Sequence, residues 1–279
     1  MIEISIDDLP DFLRGGINRL PLECRVLTRG VSVPLLYSHK TATGRLVVFY
    51  NGAVDRKVKP EGILFQRSTW LDDVPASCLF LADPTLPLHE GLALGWGQID
   101  ADTDFPAIAA DISASIARTL RLDQRGPVIH FGSSAGGFQA ASAAAKMPGG
   151  TALVNNAQFD WTLYEMDSQV DAVVKLLGFS SKQELRATMP WRTSIPEYVK
   201  HYDASLNIKY LVNASSSFDV ARQVPVFERL AELPSVTAAI HRYEDMKAGH
   251  DPLGRKELMS HLADFLAETE SPTDSLATQ

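Results

Sequence analysis

Three side chains in the second half of the chain have the types and settings for acyl chemistry: Ser134, Asp219 and His250. Ser134 is the centre of Gly132-Ser133-Ser134-Ala135-Gly136, a G-x-S-x-G frame. The apolar run Val128 to Phe131 before it reads as a strand, and the alanine-rich segment Gln139 to Lys146 after it reads as a helix. Small residues two before and two after the serine let strand turn sharply into helix, which pushes the hydroxyl out on a strained corner. The helix N-terminus behind that hydroxyl favours developing negative charge. Ser133 does not fit the same frame, because Phe131 would then take the small position. Read blandly, the pentamer is a glycine-rich turn or a phosphate cradle. A base and an acid in the right places downstream separate the readings.

A serine hydroxyl is a poor nucleophile until a base takes its proton, and an imidazole, with an ordinary pKa of about 6.5, suits that exchange at neutral pH. Of the seven histidines, His130 lies inside the serine strand, His241 at the end of another and His261 in the last helix. His250 sits in the loop Lys247 to Pro252 and is the candidate base. Asp219, closing the loop Ala214-Ser215-Ser216-Ser217-Phe218-Asp219, is the candidate acid that fixes the tautomer, and Asp160 is the alternative. The N–H of Ala135, with that of Ala53 or Val54, would hold a tetrahedral oxyanion. These last two belong to the turn Asn51-Gly52-Ala53-Val54 after the apolar run Arg45 to Tyr50.

The elements that must position these groups alternate along the chain. Cys24–Thr28 and Val31–Tyr37, parted by Arg29-Gly30, suggest an antiparallel hairpin. Arg45–Tyr50, Ser77–Ala82, Thr151–Val154, Ile208–Asn213 and Val236–His241 read as further strands, most of them buried on both faces. Phe105, Ile108, Ile112, Ile116 and Leu120 mark one amphipathic helix, Val220 to Glu232 a second, and Leu258, Leu262 and Phe265 a third. Strand–helix alternation implies a mostly parallel sheet with helices on both faces, so that loops after the strands share one edge. Residues 1 to 22 are uninformative beyond Phe12, Leu13 and Leu20 as cover for a core edge, and the chain beyond about Thr269 reads as frayed.

At this point the sequence resembles the α/β-hydrolase family over roughly residues 24 to 268. That family carries a serine at its nucleophile elbow, an acid after the seventh strand and a histidine after the eighth, matching Ser134, Asp219 and His250. The resemblance implies an eight-stranded-type sheet in a single domain over 1–279, with residues 158–207 inserted as a lid between strands six and seven. It also implies a serine hydrolase that cleaves a carboxylic ester through an acyl-serine intermediate. Acyl transfer to an alcohol would use the same residues, and a non-catalytic binding member of the fold is a further possibility. Asn51, Trp96, Ser133, Phe159, Trp161 and Phe218 are candidates to line a substrate pocket. The oxyanion loop departs from the His-Gly-Gly-Gly of many lipases. This leaves the choice between Ala53 and Val54 open.

Composition bounds the rest. Hydrophobic residues are 45% and charged residues 22%, as in a globular protein, and a net charge of −8 argues against nucleic acid or an anionic membrane surface as partner. Two scattered cysteines exclude a disulfide framework or a zinc site, and no P-loop lysine, G-x-G-x-x-G or paired metal carboxylate is present. No cofactor or metal is therefore expected, only a small-molecule ester substrate. No apolar stretch approaches the roughly 20 residues of a spanning helix, and the acidic start Met1 to Asp8 is no secretory signal; the expectation is a cytoplasmic protein.

Overall fold

Along Leu46–Tyr50 every residue is buried, yet the side chains part onto two faces: Val47 and Phe49 go to one apolar cluster, Leu46, Val48 and Tyr50 to the other. That double burial demands a sheet covered on both sides. The computed structural model, which describes residues 1–16, 21–40 and 43–270, has that architecture. Among the described residues there are nine strands, β1 (Ile2–Ser5), β2 (Leu22–Thr28), β3 (Val31–Ser38), β4 (Leu46–Tyr50), β5 (Ser77–Leu81), β6 (Ile129–Ser133), β7 (Thr151–Asn155), β8 (Leu206–Asn213) and β9 (Val236–Tyr243). They form one sheet in the order β1-β2-β3-β5-β4-β6-β7-β8-β9. Only β2–β3 and β3–β5 pair antiparallel; every other pairing is parallel.

The helices are α1 (Leu9–Gly16), α2 (Thr85–Leu88), α3 (Phe105–Leu120), α4 (Ala135–Ala144), α5 (Asp167–Leu176), α6 (Lys182–Thr188), α7 (Ile195–His201), α8 (Val224–Ala231) and α9 (Arg255–Glu268). Leu258, Leu262 and Phe265 of α9 cover the Val47–Phe49 face, while α3, α4, α5, α7 and α8 contribute to the cluster on the opposite face. Two expectations are corrected. The chain start is not shapeless, since β1 adds a ninth strand beside β2. The helix expected from Val220 opens as a π-turn over Asp219–Gln223 before α8. Leu20 and the tail beyond residue 270 lie outside the described residues.

Between β7 and β8, residues 156–205 hold α5, α6 and α7 with two 3-10 turns, Trp161–Leu163 and Pro190–Arg192. Their apolar side chains Trp161, Val170, Val173, Leu185, Ile195 and Tyr198 join the main core. Buried Arg192 anchors the segment from below, donating to Gln98 Oε1 (2.9 Å) and to the carbonyls of Asp100 and Thr103 (2.7 Å each).

His130 is a core histidine. Its ring is fully buried beside Tyr50, whose hydroxyl lies 2.8 Å from Nδ1, and burial pulls its pKa from 6.5 down to about 3. Between those two values the unfolded chain binds a proton that the fold refuses, so stability rises with pH across that window and is complete above it. Urea unfolding from pH 4.5 to 7.5 should show this slope. In His130→Asn the slope is expected to be shallower by up to about 1.4 kcal/mol per pH unit; equal slopes in the two proteins would contradict the assignment. Cys24 and Cys78 are both free and buried, and burial pushes each thiol up to about 12, which keeps them unreactive.

Candidate active site

The corner between β6 and α4 is possible only because its small residues let backbones touch. A Cβ at Gly132 would stand 2.0 Å from the Gly136 carbonyl oxygen, and one at Gly136 would stand 2.6 Å from that of Tyr50. Ser134 itself has φ 52° and ψ −125°, a conformation a non-glycine residue adopts at a cost of about 1–3 kcal/mol. The strain holds it at the N-cap of α4, where its carbonyl accepts from the N–H groups of Gly137 (3.0 Å) and Gln158 (3.2 Å).

The histidine loop after β9 has no regular structure of its own up to α9, and three buried asparagines hold it. Asn156 Nδ2 donates to the carbonyls of His250 and Asp251 (3.0 Å each), and Asn213 Nδ2 to those of Gly249 (2.8 Å) and Asp245 (2.7 Å). Asn155 Oδ1 accepts from Leu253 N–H at 2.7 Å. The other side-chain atoms of Asn155 and Asn156 are taken too: Asn155 Nδ2 donates to the Leu211 carbonyl (3.0 Å), and Asn156 Oδ1 accepts from Asn213 N–H (2.9 Å).

Held this way, His250 Nε2 lies 2.9 Å from Ser134 Oγ, and its Nδ1 lies 2.9 and 3.0 Å from the two carboxylate oxygens of Asp219. Asp219 is fully buried and also accepts from Ser216 Oγ–H at 2.6 Å. An acceptor-only carboxylate on Nδ1 assigns the proton to that nitrogen, leaving Nε2 to accept from the serine hydroxyl. Asp160, the alternative acid, has other partners: it caps the Trp161–Leu163 turn through Thr162 N–H (3.0 Å) and Oγ1–H (2.6 Å), and pairs with Arg186 at 3.2 Å. Burial raises its pKa.

Opposite the corner lies the turn after β4, close enough that a Cβ on Gly52 would be 3.7 Å from Ser134 Cβ. Gly52 N–H is taken by Gln66 Oε1 at 3.0 Å, and Val54 N–H by the Ala93 carbonyl at 2.9 Å. Val54 is therefore corrected as an oxyanion donor: its amide is already spent. Ala53, exposed between them, has an amide with no hydrogen-bond partner among the described residues, as has Ala135 at the first position of α4.

The expected pocket lining is largely corrected as well. Phe159 is fully buried against Tyr210 (4.8 Å) and Phe227 (5.1 Å). Trp96 and Trp161 are fully buried and stacked on each other at 5.1 Å. Asn51 is buried with its Oδ1 on Asp83 N–H, and Ser133 is buried with its Oγ on Arg67. The large rings went inward because the apolar area they remove from water outweighs any solvent-side use. Trp96 does act on the site at one remove: its Nε1–H binds Gln158 Oε1, and Gln158 Nε2–H donates to Ser134 Oγ at 3.0 Å.

Phe218 alone of that set borders open space. Its ring and that of Tyr164 pack on the His250 imidazole, with centroids 5.8 and 5.9 Å away, and both line a cavity of about 410 Å³ with Thr162, Gln183, Arg186 and Arg222. Neither that cavity nor a larger one of about 530 Å³, which runs beside β2 past Arg25 and Phe65, is lined by Ser134, Asp219 or His250. Among the described residues no group of three or more His, Cys, Asp or Glu is placed to hold a metal, and no helix is long and apolar enough to cross a membrane.

Compared with solved structures, the chain has the α/β-hydrolase fold. It is similar to an S-formylglutathione hydrolase from Agrobacterium tumefaciens (TM-score 0.60, 14% identity, 90% of this chain and 94% of that one). It is likewise similar to the capsule O-acetyltransferase of Neisseria meningitidis serogroup A (0.57, 12%, 87% and 95%). A third similarity is to the Pyrococcus horikoshii acylaminoacyl peptidase (0.59, 14%), where 96% of this chain spans 45% of the larger protein. No protein-family model and no curated protein matches the sequence.

Proposed function

We propose that the protein is a serine-dependent carboxylic ester hydrolase with Ser134 as nucleophile, His250 as base and Asp219 as the acid that orients it. The hydrogen-bonded line from Asp219 through His250 to Ser134 Oγ carries the reading. In the first half-reaction the Ser134 hydroxyl proton passes to His250 Nε2 while Oγ attacks the ester carbonyl carbon. The resulting oxyanion faces the amides of Ala53 and Ala135. His250 then hands its proton to the departing alcohol, leaving an acyl-serine and a neutral imidazole. Water, deprotonated by the same nitrogen, attacks the acyl carbon; collapse of this second tetrahedral state breaks the acyl–Oγ bond, returns the proton from His250 to Ser134 and releases the acid.

Residues 158–207 serve in this reading as a cap rooted in the core, with Tyr164 at its edge beside the histidine. The neighbouring cavity has polar walls at Thr162, Gln183, Arg186 and Arg222, which suits a short or polar acyl ester better than a long alkyl chain. Acyl transfer differs only in the acceptor of the second step. Rates on p-nitrophenyl esters from acetate to decanoate and on acetylated sugars, with and without an added alcohol, test the proposal. Turnover that falls with chain length is expected; absence of hydrolysis and of transfer across the series would end it.

A further inference from the structure

Arg67 combines two features that lower stability and that the chemistry above leaves unused. It is 8% exposed, its guanidinium lies over the rings of Phe131 (5.1 Å) and Trp70 (5.4 Å), and among the described residues its hydrogen bonds go to neutral acceptors only. Among the described residues its Nε has no partner. Burial alone pulls its pKa down, to about 10, so the group is still charged at neutral pH. A buried charge without a counter-ion costs stability, and so does the left-handed φ of 71° at which Arg67 stands. Folds retain such costs where geometry is needed for function.

The contacts identify the geometry. Arg67 Nη2 donates to Ser133 Oγ at 2.8 Å, on the last residue of β6 before the nucleophile. Its Nη1 donates to Gln66 Oε1 at 3.1 Å, the same oxygen that accepts the Gly52 N–H at 3.0 Å. One rigid fork therefore ties the corner that carries Ser134 and Ala135 to the turn that carries Ala53. A lysine, with one ammonium centre and no planar fork, does not reproduce this bridge.

We propose that Arg67 is a positioning residue that, through Gln66 and Ser133, sets the separation of the two oxyanion donors on Ala53 and Ala135. This rests on the reading of Ser134 as nucleophile. Because the clamp acts on the tetrahedral state, its loss should appear in kcat and leave ground-state ester binding alone.

The test measures kcat and KM on a short p-nitrophenyl ester, Ki for a trifluoromethyl ketone that forms a tetrahedral adduct, and Tm, for the wild type, Arg67→Met, Arg67→Lys and Gln66→Leu. In each variant kcat is expected to fall about 10- to 100-fold, the scale of a misplacement near 1 Å, with KM within about threefold. Ki should rise by the factor lost in kcat/KM. The double variant Arg67→Met/Gln66→Leu should be no worse than Arg67→Met, whose Tm should match or exceed that of the wild type because the unpaired charge is gone. Should Arg67→Met fail to fold, Gln66→Leu, which leaves the charge in place, decides alone. Variants that keep kcat within about twofold, or lose kcat/KM through KM with Ki unchanged, overturn the clamp while leaving an active wild type as a serine hydrolase. A wild type that neither turns over the ester nor binds the ketone overturns both.

Discussion

Ser134→Ala is expected to lower kcat on an ester substrate by about 10⁴- to 10⁶-fold while leaving KM and Tm close to those of the wild type. The size follows from the chemistry: with Oγ gone, no acyl intermediate forms, and the amides of Ala53 and Ala135 are left to assist attack by water. Such donors alone sustain about 10³- to 10⁴-fold over the uncatalysed rate, so the residual is not zero. Because serine and imidazole act as one unit, the double variant Ser134→Ala/His250→Ala should be no slower than either single one. Stability should barely move, since among the described residues the Ser134 hydroxyl bonds only to His250 and Gln158, at a partly exposed site. A double variant slower than the singles by the product of their effects would mean that the two residues do not share a step.

The second large effect separates the two aspartates. Asp219→Asn should lower kcat by about 10⁴-fold, because an amide facing Nδ1 donates a proton there and forces the imidazole hydrogen onto Nε2, where it blocks acceptance from the serine. The Ser216 bond at 2.6 Å keeps the side chain in place, so the loss is one of tautomer and charge more than of shape. Asp160→Asn should leave kcat within about threefold of wild type and act on stability instead. Its carboxylate bonds Thr162 and Arg186 and lies in the base of the 158–207 segment. Losing about 1–2 kcal/mol there corresponds to a Tm drop of a few degrees in a chain of this size. Calorimetry beside steady-state kinetics on both variants checks the pair; a crippled Asp160→Asn with an active Asp219→Asn would reverse the assignment.

What made the serine corner legible was that its requirements are local: Gly132 and Gly136 must be small for reasons found within a few residues of Ser134. The strands were legible for a similar reason, since the continuous apolar runs of Arg45–Tyr50 and Ser77–Ala82 have no other home than a doubly covered sheet. Asp219 and His250 could be placed because the topology brings post-strand loops to one edge. The second half of the oxyanion pair was not decided from sequence, because whether Ala53 or Val54 keeps a free amide depends on Ala93, 39 positions beyond Val54. Asn155, Asn156 and Asn213 tether the histidine loop through bonds that span up to 98 positions, and no periodicity announces them. Trp96, Phe159 and Trp161 misled because an aromatic residue near a predicted site reads the same whether its ring faces solvent or core. Arg67 sits in Phe65-Gln66-Arg67-Ser68, a polar stretch with no motif, and its place behind Ser133 exists only in the fold.

The central claim is that Ser134 Oγ is a nucleophile made so by His250. Intact-mass analysis after treatment with a fluorophosphonate reads it directly, with the adduct mapped by peptide sequencing. One phosphonate per chain, on Ser134, is expected in the wild type. Labelling should vanish in Ser134→Ala and slow by orders of magnitude in His250→Ala. A folded wild type that stays unlabelled, or one labelled as fast without His250 as with it, would contradict the account.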